Sequence, residues 1–194
     1  MTAPVFPILV AAMLAFAVPA VETPENIGCM DGGYLRDQQM VLERFSKTAN
    51  IAEFAHHGLP ADLVDILRLR ADACAESYDW PAEGIEMAGR YKLAQLILHA
   101  AESRSTFTKS QWQGLHDAYE GVDKDAVLEA VFGIRQQGSA GQSGQLNNRQ
   151  IEDIMVEARI PGTGSNIELV TAWLAARAVR DTSLSYFRNV ELKE

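Results

Sequence analysis

Two cysteines, Cys29 and Cys74, are the only ones in the chain, and their spacing could support one covalent cross-link. In an oxidising compartment such a pair forms a disulfide, whereas in a reducing one it stays as two thiols. A disulfide requires Cα atoms within about 7 Å of each other. A continuous helix over residues 33–57, rising ~1.5 Å per residue, would carry Cys29 far past Cys74. The pair can therefore form a disulfide only if the helix is interrupted near residue 50.

Residues 1–20 have the pattern of a cleaved secretory signal peptide. They contain no charged side chain, and a run of apolar residues ends with Val18 and Ala20 at the positions that precede cleavage. The run is too short for a membrane span, and we expect none in the remaining chain. Because Arg outnumbers Lys and Ala is abundant, we expect a bacterial cell and a periplasmic location. The alternative is a buried N-terminal helix in a cytosolic protein, since no Lys or Arg precedes the apolar run.

The charge of the chain excludes some partners. Asp and Glu number 26 against 17 Lys and Arg, which gives a net charge of −9. Such a surface repels nucleic acids and anionic membranes, so neither is expected as a partner. A single domain over residues 21–194 is long enough to bury a core without a metal ion.

Glu53 and His56 are the one pair whose spacing is typical of a metal site on a helix. A carboxylate and an imidazole three residues apart lie on one helical face, as in di-iron bundles, which need a second such pair and two further Glu residues. No other His in the chain follows a Glu at this spacing. The spacing from Asn50 to Glu53 also predicts a capping box, which explains the Glu without a metal. We therefore predict no metal ligand and no cofactor.

Residues 139–150 join two predicted helices and have the glycine and apolar pattern of a calcium-binding loop. Gly144 lies where the loop needs its glycine, and the apolar Leu146 follows two residues later. The segment thus resembles an EF-hand, which implies a helix–loop–helix unit. Uncharged residues stand where carboxylate ligands belong: Ser139, Gly141, Ser143 and Gln150. The resemblance implies a degenerate hand with little calcium affinity, and the alternative is a surface loop rich in Gly, Ser and Gln over 138–145.

Arg177 and Arg180 could bind a carboxylate or a phosphate. The sequence places them near the end of the last long helix, where cations also complement the helix dipole, and we favour that interpretation. Several carboxylates fall on predicted helices and would become candidates for acid–base chemistry only if they pointed inward. They are Glu86, Glu102, Asp117 and Glu120.

The elements that position these residues are all predicted to be helices. Apolar residues recur at intervals of three and four, and no stretch alternates with a period of two. Capping signals separate the segments, such as Thr108 with Gln111 and Ser165 with Glu168. The fold class is therefore all-α, a single compact bundle of seven or eight helices with a disulfide-bonded N-terminal subassembly. The helix over 82–102 is expected at its centre, with Gly89 at a close helix crossing.

Two functional hypotheses remain open. The first is an exported protein without catalytic activity that binds another protein or modulates a process of the cell envelope, because no nucleophile–base motif is present. The alternative is an enzyme or small-ligand carrier with a polar site inside the bundle. The sequence indicates no catalytic residue and leaves the oligomeric state open.

Overall fold

The computed structural model describes residues 26–49, 58–124, 127 and 148–191, and its regular elements there are all helical. They are a short 3-10 helix, η1 (Ile27–Asp31), and six α-helices: α1 (Arg36–Thr48), α2 (Ala61–Tyr78), α3 (Ala82–Arg104), α4 (Lys109–Glu120), α5 (Asn148–Glu157) and α6 (Gly164–Glu191). The predicted helical class is confirmed. Two further segments predicted to be helical, 50–57 and most of 123–134, lie outside the described residues, as does the leader 1–20.

The first long helix ends where a Cys29–Cys74 disulfide requires it to end. Helix α1 ends at Thr48, and Ala49 turns out of the helix with ψ 121° while its N–H still donates to the Phe45 carbonyl at 2.8 Å. The side chain of Arg104 donates to the Ala49 carbonyl. The carbonyl just after the C-terminal end of α1 therefore gains a donor from a distant helix. The capping box predicted at Asn50 lies outside the described residues.

Local capping signals set two of the other helix starts. Thr108 caps α4 as predicted: its Oγ accepts from the Gln111 N–H at 3.3 Å, and the Gln111 side chain accepts from the Thr108 N–H at 2.9 Å. The start of α6 differs from the prediction. Thr163, not Ser165, accepts there, from the Asn166 N–H at 3.4 Å.

Helix α3 lies at the centre of the fold and contacts η1, α1, α2 and α6. Its first half packs in one apolar cluster with the last turns of α6, and its second half packs with the first turns of α6. The two longest helices therefore run antiparallel. The first of these clusters also holds η1 and α2, and the second holds α4 and α5.

The close helix crossing lies at a glycine other than the predicted one. A Cβ added at Gly89 would meet no atom within 4 Å, so no neighbour requires a glycine there. A Cβ at Gly114 in α4 would lie 2.9 Å from the Cα of Ala158, just after α5. The expectation for Gly89 was wrong because a glycine in a helix shows only that a close approach is allowed.

Candidate functional site

The disulfide between Cys29 and Cys74 joins η1 to the middle of α2. The sulfur atoms are 2.04 Å apart and the Cα atoms 6.0 Å apart. Cys74 is fully buried, between Ala71 and Ala75 on the apolar face of α2. The bond fixes the N-terminal end of the described chain against the core, which five residues of 3-10 helix could not achieve alone.

Arg70 reinforces the same junction. Its guanidinium donates to the carbonyl of Cys29 from Nε at 3.1 Å and from a terminal nitrogen at 2.7 Å, and that nitrogen also lies 3.3 Å from the Cys29 sulfur. The group lies over the ring of Tyr34, 5.9 Å from its centroid. Gly33, at φ +76°, leaves the space that the guanidinium fills. Arg70 therefore finds its acceptor in the backbone of η1.

Most of the remaining polar side chains around η1 are also paired, although the buried Oδ1 of Asn26, just before η1, has no hydrogen-bond partner. Asp31 accepts from Lys92 at 3.0 Å and from the Tyr91 hydroxyl at 3.4 Å, and Tyr34 donates to the Met30 carbonyl at 2.9 Å. Burial raises the pKa of Tyr34 far above its ordinary value, against the opposing charge of Arg70, so its hydroxyl stays a neutral donor. We call this region, from η1 to Arg70 and Lys92, the disulfide end. Apart from the Oδ1 of Asn26, its polar side chains pair with one another or with the backbone, as in a structural junction.

A second group of charged side chains lies between α4 and α6, where positive groups outnumber negative ones. Lys124, Arg177 and Arg180 surround a single carboxylate, Asp181, at 3.7, 3.5 and 3.4 Å. We call these four residues the cationic cluster. Three cations against one carboxylate leave a formal excess of two positive charges. The exposed Glu102 and Glu120 lie nearby but form no ion pair with these cations in the described part of the chain.

Tyr119 forms the base of the cationic cluster. Its hydroxyl donates to Asp181 at 3.1 Å, while Lys124 and Arg177 lie over its ring, 5.2 and 5.5 Å from the centroid. Its ring also packs edge-on against Trp173, 5.9 Å away. Burial first, and then the Asp181 carboxylate, raises the pKa of Tyr119 far above its ordinary value, so the phenol remains a donor.

His116 lies one turn before Tyr119 and packs against Trp173, 4.9 Å between ring centroids. Burial lowers the pKa of His116, and the charges of Arg177 and Arg180 lower it further, while Glu102 and Asp117 act in the opposite direction. The imidazole is therefore held neutral near pH 7. It adds a polar group beside the cationic cluster without adding charge.

The position of the two arginines corrects their predicted role. Because α6 continues to Glu191, Arg177 and Arg180 lie in its middle and not at its end. The helix dipole acts only over the last turn, so it does not account for these two cations. The sequence did not point to Asp181, Tyr119 or Lys124 as neighbours. The spacing of four residues from Arg177 to Asp181 was a signal for one of these contacts.

The other candidate residues form no site in the described part of the chain. Glu53 and His56 lie outside it, as does nearly all of the loop 139–150. The four helical carboxylates at 86, 102, 117 and 120 are exposed, and Glu86 pairs with Arg90 one turn later. Within the described ranges no three His, Cys, Asp or Glu side chains lie close enough together to bind a metal ion. No described helix is long and apolar enough to cross a bilayer.

Comparison of the chain with protein-family models, with curated proteins and with solved structures gives no match.

Proposed function

We propose that this chain is an exported bacterial protein that folds as one helical domain over residues 21–194 and acts in the periplasm by binding another protein. It performs no catalysis in this proposal. The support for export is the leader pattern at 1–20 together with the disulfide, since structural disulfides persist in oxidising compartments. The net charge of −9 favours a protein partner over a nucleic acid or an anionic membrane.

The observation that carries the proposal is the uneven distribution of exposed apolar side chains. Six large apolar residues in the described chain are substantially exposed, and five of them lie on or beside α1 and α2: Leu35, Met40, Val64, Leu69 and Tyr78. Only Val156 lies elsewhere. Helices α1 and α2 contact each other, and we infer that the partner binds to this helix pair through some of these side chains. The disulfide end supports this region rigidly, so a partner would meet a preformed surface.

A photoreactive phenylalanine analogue placed at single positions tests the proposal in living cells. In place of Leu69 or Met40 it should cross-link a defined partner in the periplasm. In place of Val156, the most exposed apolar residue outside this region, it should not. The partner should then bind the purified protein, and Leu69→Ser should weaken that binding while Val156→Ser does not. Equal cross-linking at all three positions would contradict the proposal.

Export is tested separately by intact mass measurement of the protein recovered from its native cell. Cleavage after Ala20 and a mass lower than that of the reduced chain by two hydrogen atoms are expected. A chain that keeps its leader and two thiols would contradict the periplasmic location, whatever the cross-linking result.

A second candidate function, that of a small-ligand carrier, is favoured by one observation. The cationic cluster has more donors and more positive charge than its own carboxylate can satisfy.

A further inference from the structure

We propose that the cationic cluster binds a small doubly charged oxyanion, a phosphate group or a dicarboxylate, between Lys124, Arg177 and Arg180. The proposal does not depend on a protein partner, because the cluster lies between α4 and α6 and none of the exposed apolar residues on α1 and α2 belongs to it.

The first argument is charge. The cluster has a formal excess of two positive charges in a chain whose net charge is −9. The side chains of Arg177 and Arg180 are only 17% and 23% exposed, so solvent screens their mutual repulsion incompletely. A dianion would neutralise the excess, whereas a monoanion would leave half of it.

The second argument is hydrogen bonding. The Nε atoms of Arg177 and Arg180 are buried and form no hydrogen bond, although that of Arg177 lies 3.5 Å from the Asp181 carboxylate, and Arg177 donates no hydrogen bond to any residue that the structure describes. Asp181 already accepts from Tyr119 and from Arg180. Two planar guanidinium groups with unused donors match the oxygen atoms of phosphate and carboxylate, which they bind in forked pairs.

The third argument is access and rigidity. Lys124 is 41% exposed at the edge of the cluster, and the side chains of Arg177 and Arg180 keep 17% and 23% of their surface exposed, so an ion would meet these exposed parts and not the buried Nε atoms. Lys124 and Arg177 both lie over the Tyr119 ring, which is itself fully buried against Trp173. The cations are therefore held close together before a ligand arrives, which lowers the entropy cost of binding.

Titration of the protein with inorganic phosphate, followed by NMR at constant ionic strength, tests the proposal. The Nε–H resonances of Arg177 and Arg180 should shift and saturate below about 20 mM phosphate, an affinity well within the range of small-anion sites. Succinate, a dicarboxylate, and acetate, a monocarboxylate, form the comparison arms. Saturation by phosphate alone identifies a phosphate group as the ligand, and saturation by phosphate and succinate identifies the shared dianion chemistry. Equal binding of acetate, or no saturable shift with phosphate or succinate, would overturn the proposal.

Arg177→Gln should weaken phosphate binding roughly tenfold or more, since it removes a charge and a forked donor. Arg68→Gln, an identical change at an exposed position of α2, should leave the affinity within about twofold because it changes only the long-range charge. Arg180→Gln repeats the test if the first variant folds poorly. Equal losses in all variants would show that only net charge matters and would overturn the site.

Discussion

Arg70 and Arg177 are both half-buried arginines on long helices, yet their guanidinium groups have opposite surroundings. Arg70 donates twice to the Cys29 carbonyl, and its position over Tyr34 closes the disulfide end. Arg177 has a buried Nε that lies 3.5 Å from the Asp181 carboxylate without forming a hydrogen bond, and it shares that carboxylate with two other cations. An arginine whose donors meet backbone acceptors stabilises a fold. An arginine that shares one carboxylate with two other cations has donors left for a ligand that is not part of the chain.

The two regions also differ in what a substitution should do. A change at the disulfide end should reduce the free energy of unfolding and leave anion binding intact. A change in the cationic cluster should alter anion binding and can even raise stability, since binding sites often keep interactions that destabilise the empty protein.

The largest effect is expected from Cys29→Ala combined with Cys74→Ala. A loop closed across 45 residues implies a loss of up to about 4 kcal/mol in the free energy of unfolding, through loop-closure entropy. Urea unfolding of the variant and of the parent protein measures it. The phosphate affinity of the folded variant should be unchanged. A loss of that affinity would show that the two regions are not independent.

Asp181→Asn should have the next largest effect, a loss of about 2 kcal/mol. It leaves three half-buried cations without a counter-ion, and it weakens the acceptor of the Tyr119 hydroxyl. Thermal unfolding measures it, with Asp31→Asn at the disulfide end as the control. That carboxylate is 42% exposed and its pair with Lys92 should contribute less than about 1 kcal/mol. Phosphate should bind the Asp181 variant more tightly than the parent, and weaker binding would contradict the proposed site.

Local signals in the sequence were enough to predict the helical class, the end of α1 near residue 50 and the start of α4. Periodicity and capping residues act over a few positions, so Thr108 with Gln111 could be identified without knowing the fold. The length of α6 was underestimated although no Gly or Pro occurs within it after Gly164. That error led to the helix-dipole interpretation of Arg177 and Arg180.

What could not be predicted depends on contacts between distant residues. Helix η1 has too few residues for a periodic pattern, and it is held by Arg70, 41 residues away from Cys29. The cationic cluster brings Tyr119 to Asp181 across 62 residues. Side chains that meet only after the helices pack leave no spacing signal along the chain.

Gly33→Ala tests whether the guanidinium of Arg70 is held firmly in its place beside the Cys29 carbonyl. Its Cβ would overlap the guanidinium of Arg70, and its φ of +76° is unfavourable for alanine. Gly58→Ala is a matched control, since Gly58 has φ +73° but no atom within 4 Å of the added Cβ. The control should lose about 1 kcal/mol, the cost of the left-handed conformation, and Gly33→Ala about 1 kcal/mol more. Equal losses in urea unfolding would mean that Arg70 moves aside without cost.

The smallest effect concerns the pH dependence of stability, through His116. Its folded pKa lies below its unfolded value of about 6.5, first because of burial and then because of Arg177 and Arg180, against Glu102 and Asp117. Between the two pKa values the unfolded chain binds more protons, so the free energy of unfolding should fall as the pH drops through about 6.5 and level off below the folded pKa. His116→Gln should remove this loss, while His99→Gln, at an exposed position of α3, should keep it.

The same titration tests the comparison between the two regions. Arg177→Gln should raise the pKa of His116, read from its ring resonances by NMR, because one of the opposing charges is gone. Bound phosphate should raise it as well, since an anion beside the arginines offsets their charge. Gly33→Ala at the disulfide end should not change it. If the pKa of His116 did not change with phosphate, the anion would have to bind away from the cationic cluster. If it changed with Gly33→Ala, the disulfide end and the cationic cluster would not be independent.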